Sequence, residues 1–228
     1  RLHEGTPWVP PLIYERKDQP DWLFGAQVSD DGRYLVISVA RNTEPKNLVL
    51  YRDLAKKHAD ATNETLIGEW DASYQFLGNT KGTFYFLTDK DAPRRRIVAI
   101  DTKHVEKAHW KEVVPQAADT LQNASIVNHS FIAEYMQDAH SAVRLFDMKG
   151  KATGTIALPG LGSVADFSGR TADTETFYTY SSYTAPPTVF RQDLKTNTSS
   201  VFRAPKVAID SSLYETRQVF YSSKDGTR

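Results

Sequence analysis

The 228-residue chain carries 28 Lys and Arg against 28 Asp and Glu, so its formal charge is zero and no net field favours nucleic acid or an anionic membrane. Apolar residues make up 40% and aromatic residues 11%, a globular composition well supplied with the side chains of β-sheet cores. The chain has no cysteine, which excludes disulfides, thiolate metal sites and a catalytic thiol.

No stretch approaches the roughly 18 apolar residues of a membrane span, and no signal peptide is recognisable. We therefore expect neither a membrane nor a nucleic-acid partner. Because the chain starts at Arg1 rather than Met, we expect it to be a cut piece, and its compartment stays open between cytoplasmic and periplasmic.

The first part of the chain predicts a connector and then a sheet. Residues 1–21 contain four prolines and are predicted to be extended, with a short edge strand of a preceding unit over residues 12–15. The following strands are predicted at residues 25–29, 33–39 and 47–53, with Asp30, Asp31 and Gly32 forming the first tight turn.

The same pattern of strands and turns recurs three times further along the chain. Its second and third strands are predicted at 83–88 and 96–101, at 131–136 and 142–147, and at 176–180 and 188–193. Each third strand ends on an aspartate: Asp53, Asp101, Asp147 and Asp193. These aspartates are 48, 46 and 46 residues apart, within the period of about 40–50 residues that is typical of propeller blades.

A fourth, outer strand is predicted in each unit, at 65–70, 110–114, 154–158 and 199–203. The chain is therefore predicted to be all-β, a β-propeller of four-stranded antiparallel blades with about four to five blades present. A solenoid needs shorter repeats, and an immunoglobulin-like sandwich does not explain the period. Residues 54–63 are predicted to be a loop rather than a packed helix, because Leu54 is their only large apolar residue.

Sequence motifs for catalysis or metal binding are weak. The nearest approach to a serine elbow, residues 160–164, has the wrong register and is interpreted as a turn. Of the six histidines only His104 and His109 are close together, in a polar loop, and we predict no metal site and no cofactor. Three consecutive arginines at 94–96 are interpreted as a solvated loop or a guard of a sheet edge.

Two segments are candidates for ligand binding, residues 22–26 and residues 41–45. An apolar group before an inner strand and a polar loop after the second strand would lie at a rim or in the central channel of a propeller. The alternative, that Trp22 and Phe24 belong to the blade core, is equally compatible with the sequence.

Several stretches together resemble the prolyl oligopeptidase family, in the second half of its β-propeller. They are VSDDGRYLVIS at 28–38, LPGLGSV at 158–164, TVF at 188–190 and above all QVFYSSKDGTR at 218–228. Each motif is weak singly, but their order and spacing make the resemblance specific, and it extends over residues 22–228.

The resemblance implies a function that the spacing alone does not. Family members are serine peptidases that cut short peptides after proline, and their seven-bladed propeller filters access to an α/β-hydrolase domain. No catalytic residue is then expected in this chain, since the Ser, Asp and His would lie downstream. Residues 22–215 would be blades and residues 216–228 the last strand and the crossover to the hydrolase domain of the same monomer. A free-standing propeller that binds a protein partner is the alternative.

The resemblance also implies candidate substrate-binding residues. An apolar Met of the family's pocket matches Leu23, and Phe24 replaces a Gly. The family's Arg and Cys fall on Ala40 and Thr43, so Arg41, one residue along, is the candidate to supply a guanidinium. The substrate-binding candidates are therefore Leu23, Phe24, Arg41 and Thr43.

Overall fold

The computed structural model describes residues 11–56, 61–207 and 213–226. In these ranges the chain forms four sheets, each of four antiparallel strands that are neighbours in chain order. The predicted all-β propeller architecture is confirmed. Among the described helices, none is long and apolar enough to cross a membrane.

Each sheet is one blade, and its strands are numbered from the innermost outward. Blade 1 contains β1 (Trp22–Val28), β2 (Tyr34–Arg41), β3 (Asn47–Asp53) and β4 (Glu64–Ile67). Blade 2 contains β5 (Tyr74–Thr80), β6 (Thr83–Thr88), β7 (Arg96–Asp101) and β8 (Lys111–Val114), with a 3-10 turn at Lys107–His109. Blade 3 contains β9 (Thr120–Val127), β10 (Ser130–Gln137), β11 (His140–Asp147) and β12 (Ala152–Ile156). Blade 4 contains β13 (Ser163–Ser168), β14 (Glu175–Ser181), β15 (Thr188–Asp193) and β16 (Thr198–Arg203).

The blades pack face to face through aromatic and branched side chains. Successive residues of a strand point to opposite faces, so Phe84 and Phe86 of β6 pack toward blade 1 while Tyr85 packs toward blade 3. Phe84 meets Tyr34 edge-on at a centroid distance of 4.9 Å, and Tyr85 meets Phe131 at 5.3 Å. Burial on both faces explains why these strands are continuously apolar.

The periodic aspartates close the turns between the third and fourth strands. The Asp53 carboxylate accepts a hydrogen bond from the backbone N–H of Ala55 at 3.0 Å, and Asp101 accepts one from Lys103 at 2.9 Å. The carboxylate of Asp147 accepts two such bonds and so does that of Asp193, which lowers the pKa of both. The regular spacing of these aspartates therefore results from a turn that recurs once per blade.

The turns between first and second strands converge at one end of the propeller axis. Asp31 accepts a hydrogen bond from the Asn79 amide of blade 2 at 2.8 Å. Asp30 accepts one from the backbone N–H of Thr171 in blade 4, also at 2.8 Å, and the N–H of His129 in blade 3 donates to the Thr171 carbonyl at 3.0 Å. All four blades thus contribute to one polar cluster at this end.

Two predicted strands are wrong. Residues 12–15 form no strand; Ile13 and Tyr14 instead pack on the outer face of blade 1, and the Ile13 carbonyl accepts from the Asn63 amide at 2.7 Å. Residues 216–221 form no strand either; Thr216 and Gln218 contact blades 4 and 3 through their side chains rather than through a ladder. Of the predicted loop at 54–63, residues 57–60 lie outside the described residues, and the rest is not helical.

Candidate functional site

Leu23 and Phe24 lie at the start of the innermost strand of blade 1. Trp22 pairs with Arg41, Leu23 with Ala40 and Phe24 with Val39. Leu23 is 60% exposed and Phe24 is 45% exposed, although the ring of Phe24 meets Tyr14 edge-on. Both side chains therefore offer apolar surface close to the end of β2.

The pairing places the candidates on two faces of the sheet. Partners that lie directly opposite share a face, so Leu23 and Ala40 share one face, and Trp22, Phe24 and Arg41 lie on the other. The predicted second strand ended at Val39, whereas β2 continues through Arg41. Because the strand continues, the guanidinium of Arg41 and the position of Ala40 face opposite ways.

Arg41 has structural partners of its own. Its guanidinium lies 4.7 Å from the centre of the Trp70 ring, and its Nε donates to the Glu44 carboxylate at 3.0 Å. Trp70 in turn meets Trp22 at 5.4 Å. Trp22 is half-buried in this cluster, so it is part of the blade packing as well as of the candidate segment.

A cavity of about 540 Å³ opens on the Leu23 face, between blades 1 and 2. Its lining includes Gln27, Ala40 and Asn47. Thr43 is exposed in the adjoining turn between β2 and β3. The turn, the cavity and the exposed Leu23 together form a surface that combines apolar and amide groups.

Asn47 joins blades 1 and 2, a role that the sequence analysis did not predict. Its amide donates to the Tyr74 carbonyl at 3.0 Å and to Ser38 at 3.1 Å, and its oxygen accepts from the Tyr74 N–H at 2.7 Å. The side chain is buried, and these bonds satisfy backbone groups of β5. The only signal in the sequence was a lone amide at the start of a buried strand.

A second cavity, of about 460 Å³, lies beside the C-terminal segment. It is lined by the β10–β11 turn at Asp138, by Gly162 and Ser182 of blade 4, and by Thr216 and Gln218. The Gln218 amide donates to the Asp138 carbonyl. Since the β2–β3 and β10–β11 turns both join second to third strands, this cavity lies at the same end of the propeller as Thr43.

A polar chain runs from blade 2 into the middle of blade 3. The Gln75 amide donates to the Asn123 oxygen at 3.1 Å, and the Asn123 amide donates to the Glu134 carboxylate at 3.1 Å. Glu134 is only 6% exposed. Burial raises the pKa of Glu134 to about 7, and the negative charge of Asp166 adds to the effect.

The weak sequence motifs keep their structural interpretations. Arg95 donates to the Gln122 carbonyl at 2.9 Å, and Arg96 pairs with Glu112 at 2.9 Å. In the serine neighbourhood, a side chain at Gly162 would lie 2.4 Å from the Ser181 carbonyl oxygen, so the backbone approach there requires glycine. Ser163 begins the strand β13, whereas the serine of a nucleophile elbow lies between a strand and a helix.

Comparisons with known proteins agree with this architecture. Residues 10–205 match the model of the prolyl oligopeptidase N-terminal beta-propeller domain. A prolyl endopeptidase from Elizabethkingia meningoseptica is 34% identical over 209 residues, covering 92% of this chain and 29% of that protein. A prolyl endopeptidase from Dictyostelium discoideum is 30% identical over 233 residues, covering 95% of this chain and 30% of that protein.

Solved structures show the same similarity. Prolyl oligopeptidase B from Galerina marginata superposes with a TM-score of 0.87 at 27% identity, over 95% of this chain and 31% of that one. A prolyl endopeptidase studied for inter-domain dynamics superposes with a TM-score of 0.83 at 32% identity, over 94% of this chain and 31% of that one. The chain thus spans about three tenths of the length of these relatives, and it belongs to the family of prolyl oligopeptidase N-terminal β-propeller domains.

Proposed function

We propose that the chain is the substrate-gating propeller section of a serine-type prolyl endopeptidase that hydrolyses short peptides on the carboxyl side of proline. The observation that carries this proposal is the family match over residues 10–205, together with relatives named prolyl endopeptidases. One structure of Galerina marginata prolyl oligopeptidase B contains a 35mer hydrolysis and macrocyclization substrate, which supports a peptide as the substrate class.

The catalytic triad is proposed to lie in an α/β-hydrolase domain of the same polypeptide, outside this chain. In such a domain the serine attacks the carbonyl after proline, the histidine transfers protons and the aspartate orients the histidine. The 228 residues of this chain contain no Gly-x-Ser-x-Gly motif. The propeller contributes exclusion of large substrates and one wall of the binding site, rather than a reacting group.

Exposed apolar side chains in the C-terminal segment support the proposal that another protein domain covers this end of the propeller. Val219 is 78% exposed and Tyr221 is 81% exposed in the C-terminal segment, next to the turns that share an end with Thr43. Clustered exposed apolar groups of this kind mark contact surfaces. We propose that the hydrolase domain of the same monomer covers this end, in the cytoplasm or the periplasm.

The proposed substrate wall contains Leu23, Phe24, Arg41 and Thr43. Leu23 supplies exposed apolar surface beside the cavity between blades 1 and 2, and Thr43 lies in the turn at its mouth. Arg41 would contact substrate from the opposite face of β2, where Trp70 and Glu44 hold its guanidinium. A single pocket that includes both Leu23 and Arg41 would have to extend around the end of the strand.

The proposal is tested by the gene and by one assay. The coding sequence beyond Arg228 is expected to continue into an α/β-hydrolase with a Gly-x-Ser-x-Gly elbow, followed by an aspartate and a histidine. The full polypeptide is expected to release chromophore from a proline-linked chromogenic peptide, and a serine-directed inhibitor should block this. A stop codon near Arg228 and a closed ring of blades would instead establish the free-standing binding module.

A further inference from the structure

Two histidines and a glutamate converge on the surface of blade 2, in the connection between β7 and β8. One potential ligand atom each from His104, Glu106 and His109 lies within 4.8 Å of the other two. His109 Nδ1 is 3.2 Å from the Glu106 carboxylate, and the two imidazole rings meet edge-on with centroids 5.4 Å apart. The group is exposed to solvent and has no part in the proposed peptidase site.

The backbone around these residues is held by local hydrogen bonds. The N–H of His104 donates to the Asp101 carbonyl at 2.9 Å, and the N–H of His109 donates to the Glu106 carbonyl at 2.8 Å. The Trp110 indole donates to the Val105 carbonyl at 2.9 Å. These bonds close the connection into a compact unit that fixes the starting points of the three side chains.

Contacts with other elements anchor that unit. Lys107, in the 3-10 turn, pairs with Glu69 at 2.6 Å and with Asp71 at 2.5 Å in the segment between blades 1 and 2. The Trp110 ring meets the buried Tyr74 edge-on at 5.8 Å. Lys107 is thereby directed toward two other carboxylates, so its charge is paired away from Glu106.

The donor set is the kind that transition metals prefer. Imidazole nitrogens suit Zn²⁺ and its neighbours, whereas Mg²⁺ and Ca²⁺ take oxygen ligands. Glu106 adds one exposed carboxylate oxygen to the two imidazole nitrogens. Ligands about 2.1 Å from a tetrahedral Zn²⁺ stand about 3.4 Å apart. The observed spread of up to 4.8 Å closes to that value by modest rotation of exposed side chains.

We propose that His104, Glu106 and His109 form a surface binding site for a divalent transition-metal ion of the Zn²⁺ type. Each histidine supplies one ring nitrogen, Glu106 supplies a carboxylate oxygen, and water completes the coordination shell. A bound ion would tie both ends of the β7–β8 connection together. Because binding favours the folded state, it should raise the unfolding temperature of the chain.

The test is metal titration of the chelator-treated chain. Calorimetry with ZnCl₂ is expected to show one site of micromolar affinity, and Co²⁺ to produce a visible absorption band of low-symmetry coordination. His104→Ala, His109→Ala and Glu106→Gln should each weaken binding at least about 10-fold, because even the loss of a group that only supports a ligand has an effect of that size. His129→Ala is the matched control, since His129 is an exposed histidine in a blade 3 turn, and it should leave the affinity unchanged.

The outcomes separate the site from its alternatives. Absence of saturable Zn²⁺ binding at millimolar concentration would overturn the proposal. Equal binding by the wild-type chain and all three ligand variants would also overturn it, because the ion would then lie elsewhere. Circular dichroism of each variant, with matching spectra expected, ensures that a loss of affinity is not a loss of fold. Peptidase activity is not a readout here, so this test and that of the proposed function fail independently.

Discussion

The buried carboxyl of Glu134 makes a pH-dependent prediction that one isosteric substitution can isolate. In Glu134→Gln the side chain keeps its shape, and its carbonyl oxygen can still accept from the Asn123 amide, now 3.1 Å from the carboxylate. What the substitution removes is the ability to ionise inside a site that is only 6% exposed. The effect should therefore depend on pH rather than on packing.

The magnitude follows from the raised pKa. Burial, with Asp166 adding to it, moves the pKa of Glu134 from its ordinary 4.5 to about 7, which corresponds to about 3 kcal/mol. Between these two values the folded state holds a proton that the unfolded state has released. The stabilisation from the neutral carboxyl is thus complete below about 4.5 and is lost as the pH rises to about 7.

The assay is urea unfolding of the chain and of Glu134→Gln at a series of pH values from 4.5 to 8. The two free energies of unfolding should be close at pH 4.5, and the variant should become more stable by up to about 3 kcal/mol at pH 8. The other carboxyl groups titrate in both proteins, so their contributions cancel in the difference. A difference that stays constant across this range would refute the reasoning, as would an NMR titration that places the Glu134 pKa near 4.5.

Three further substitutions test separate parts of the account. Asn47→Ala should lower the free energy of unfolding by about 2–4 kcal/mol, because it leaves backbone groups of β5 unpaired; a urea midpoint within error of wild type would contradict this. Phe84→Ala should cost about 3–5 kcal/mol at the interface between blades 1 and 2, against less than about 0.5 kcal/mol for the exposed control Val219→Ala. In the full polypeptide, Arg41→Ala should raise KM by the equivalent of about 1–2 kcal/mol if the guanidinium binds a substrate carbonyl. Unchanged KM would leave Arg41 with its packing against Trp70 and its pairing with Glu44. Arg33→Ala, immediately before the opposite end of β2, is the control.

The propeller could be predicted because its signals are local. Asp53 and its three counterparts each close a turn with backbone N–H groups a few residues away, so their spacing is visible in the sequence. The second and third strands are apolar on both faces because each blade is covered on two sides. Both features are set by the chain within one repeat.

The innermost strands of blades 2 to 4 were not predicted individually. They carry polar or small residues, such as Gln75, Gly78 and Asn123, which interrupt the apolar alternation. These residues form strands because they pair with a neighbouring strand, and not because of an alternating pattern of their own. Such strands are hard to predict from a single sequence. Residues 216–221 show the opposite case: their aromatic pattern predicts a strand, but they pair with no neighbouring strand.

The positions of the candidate residues in the fold could be predicted only in part. Leu23 and Thr43 lie at exposed positions, as expected of a rim, but the face of Arg41 depends on β2 continuing two residues past Val39. One residue of extra strand decides the side on which a side chain emerges. The Asn47 bridge and the burial of Glu134 depend on contacts with strands 11 to 27 residues away, and no local pattern encodes them.

The central proposal, that this chain is the propeller section of a prolyl endopeptidase, is tested most directly by hydrolysis. The measurement is release of chromophore from a proline-linked chromogenic peptide, by the full polypeptide and by the 228-residue chain alone. We expect turnover by the full polypeptide that a serine-directed inhibitor abolishes, and no turnover by the chain alone. Inhibitor-sensitive turnover by the chain alone, or a folded full polypeptide without activity toward proline peptides, would contradict it.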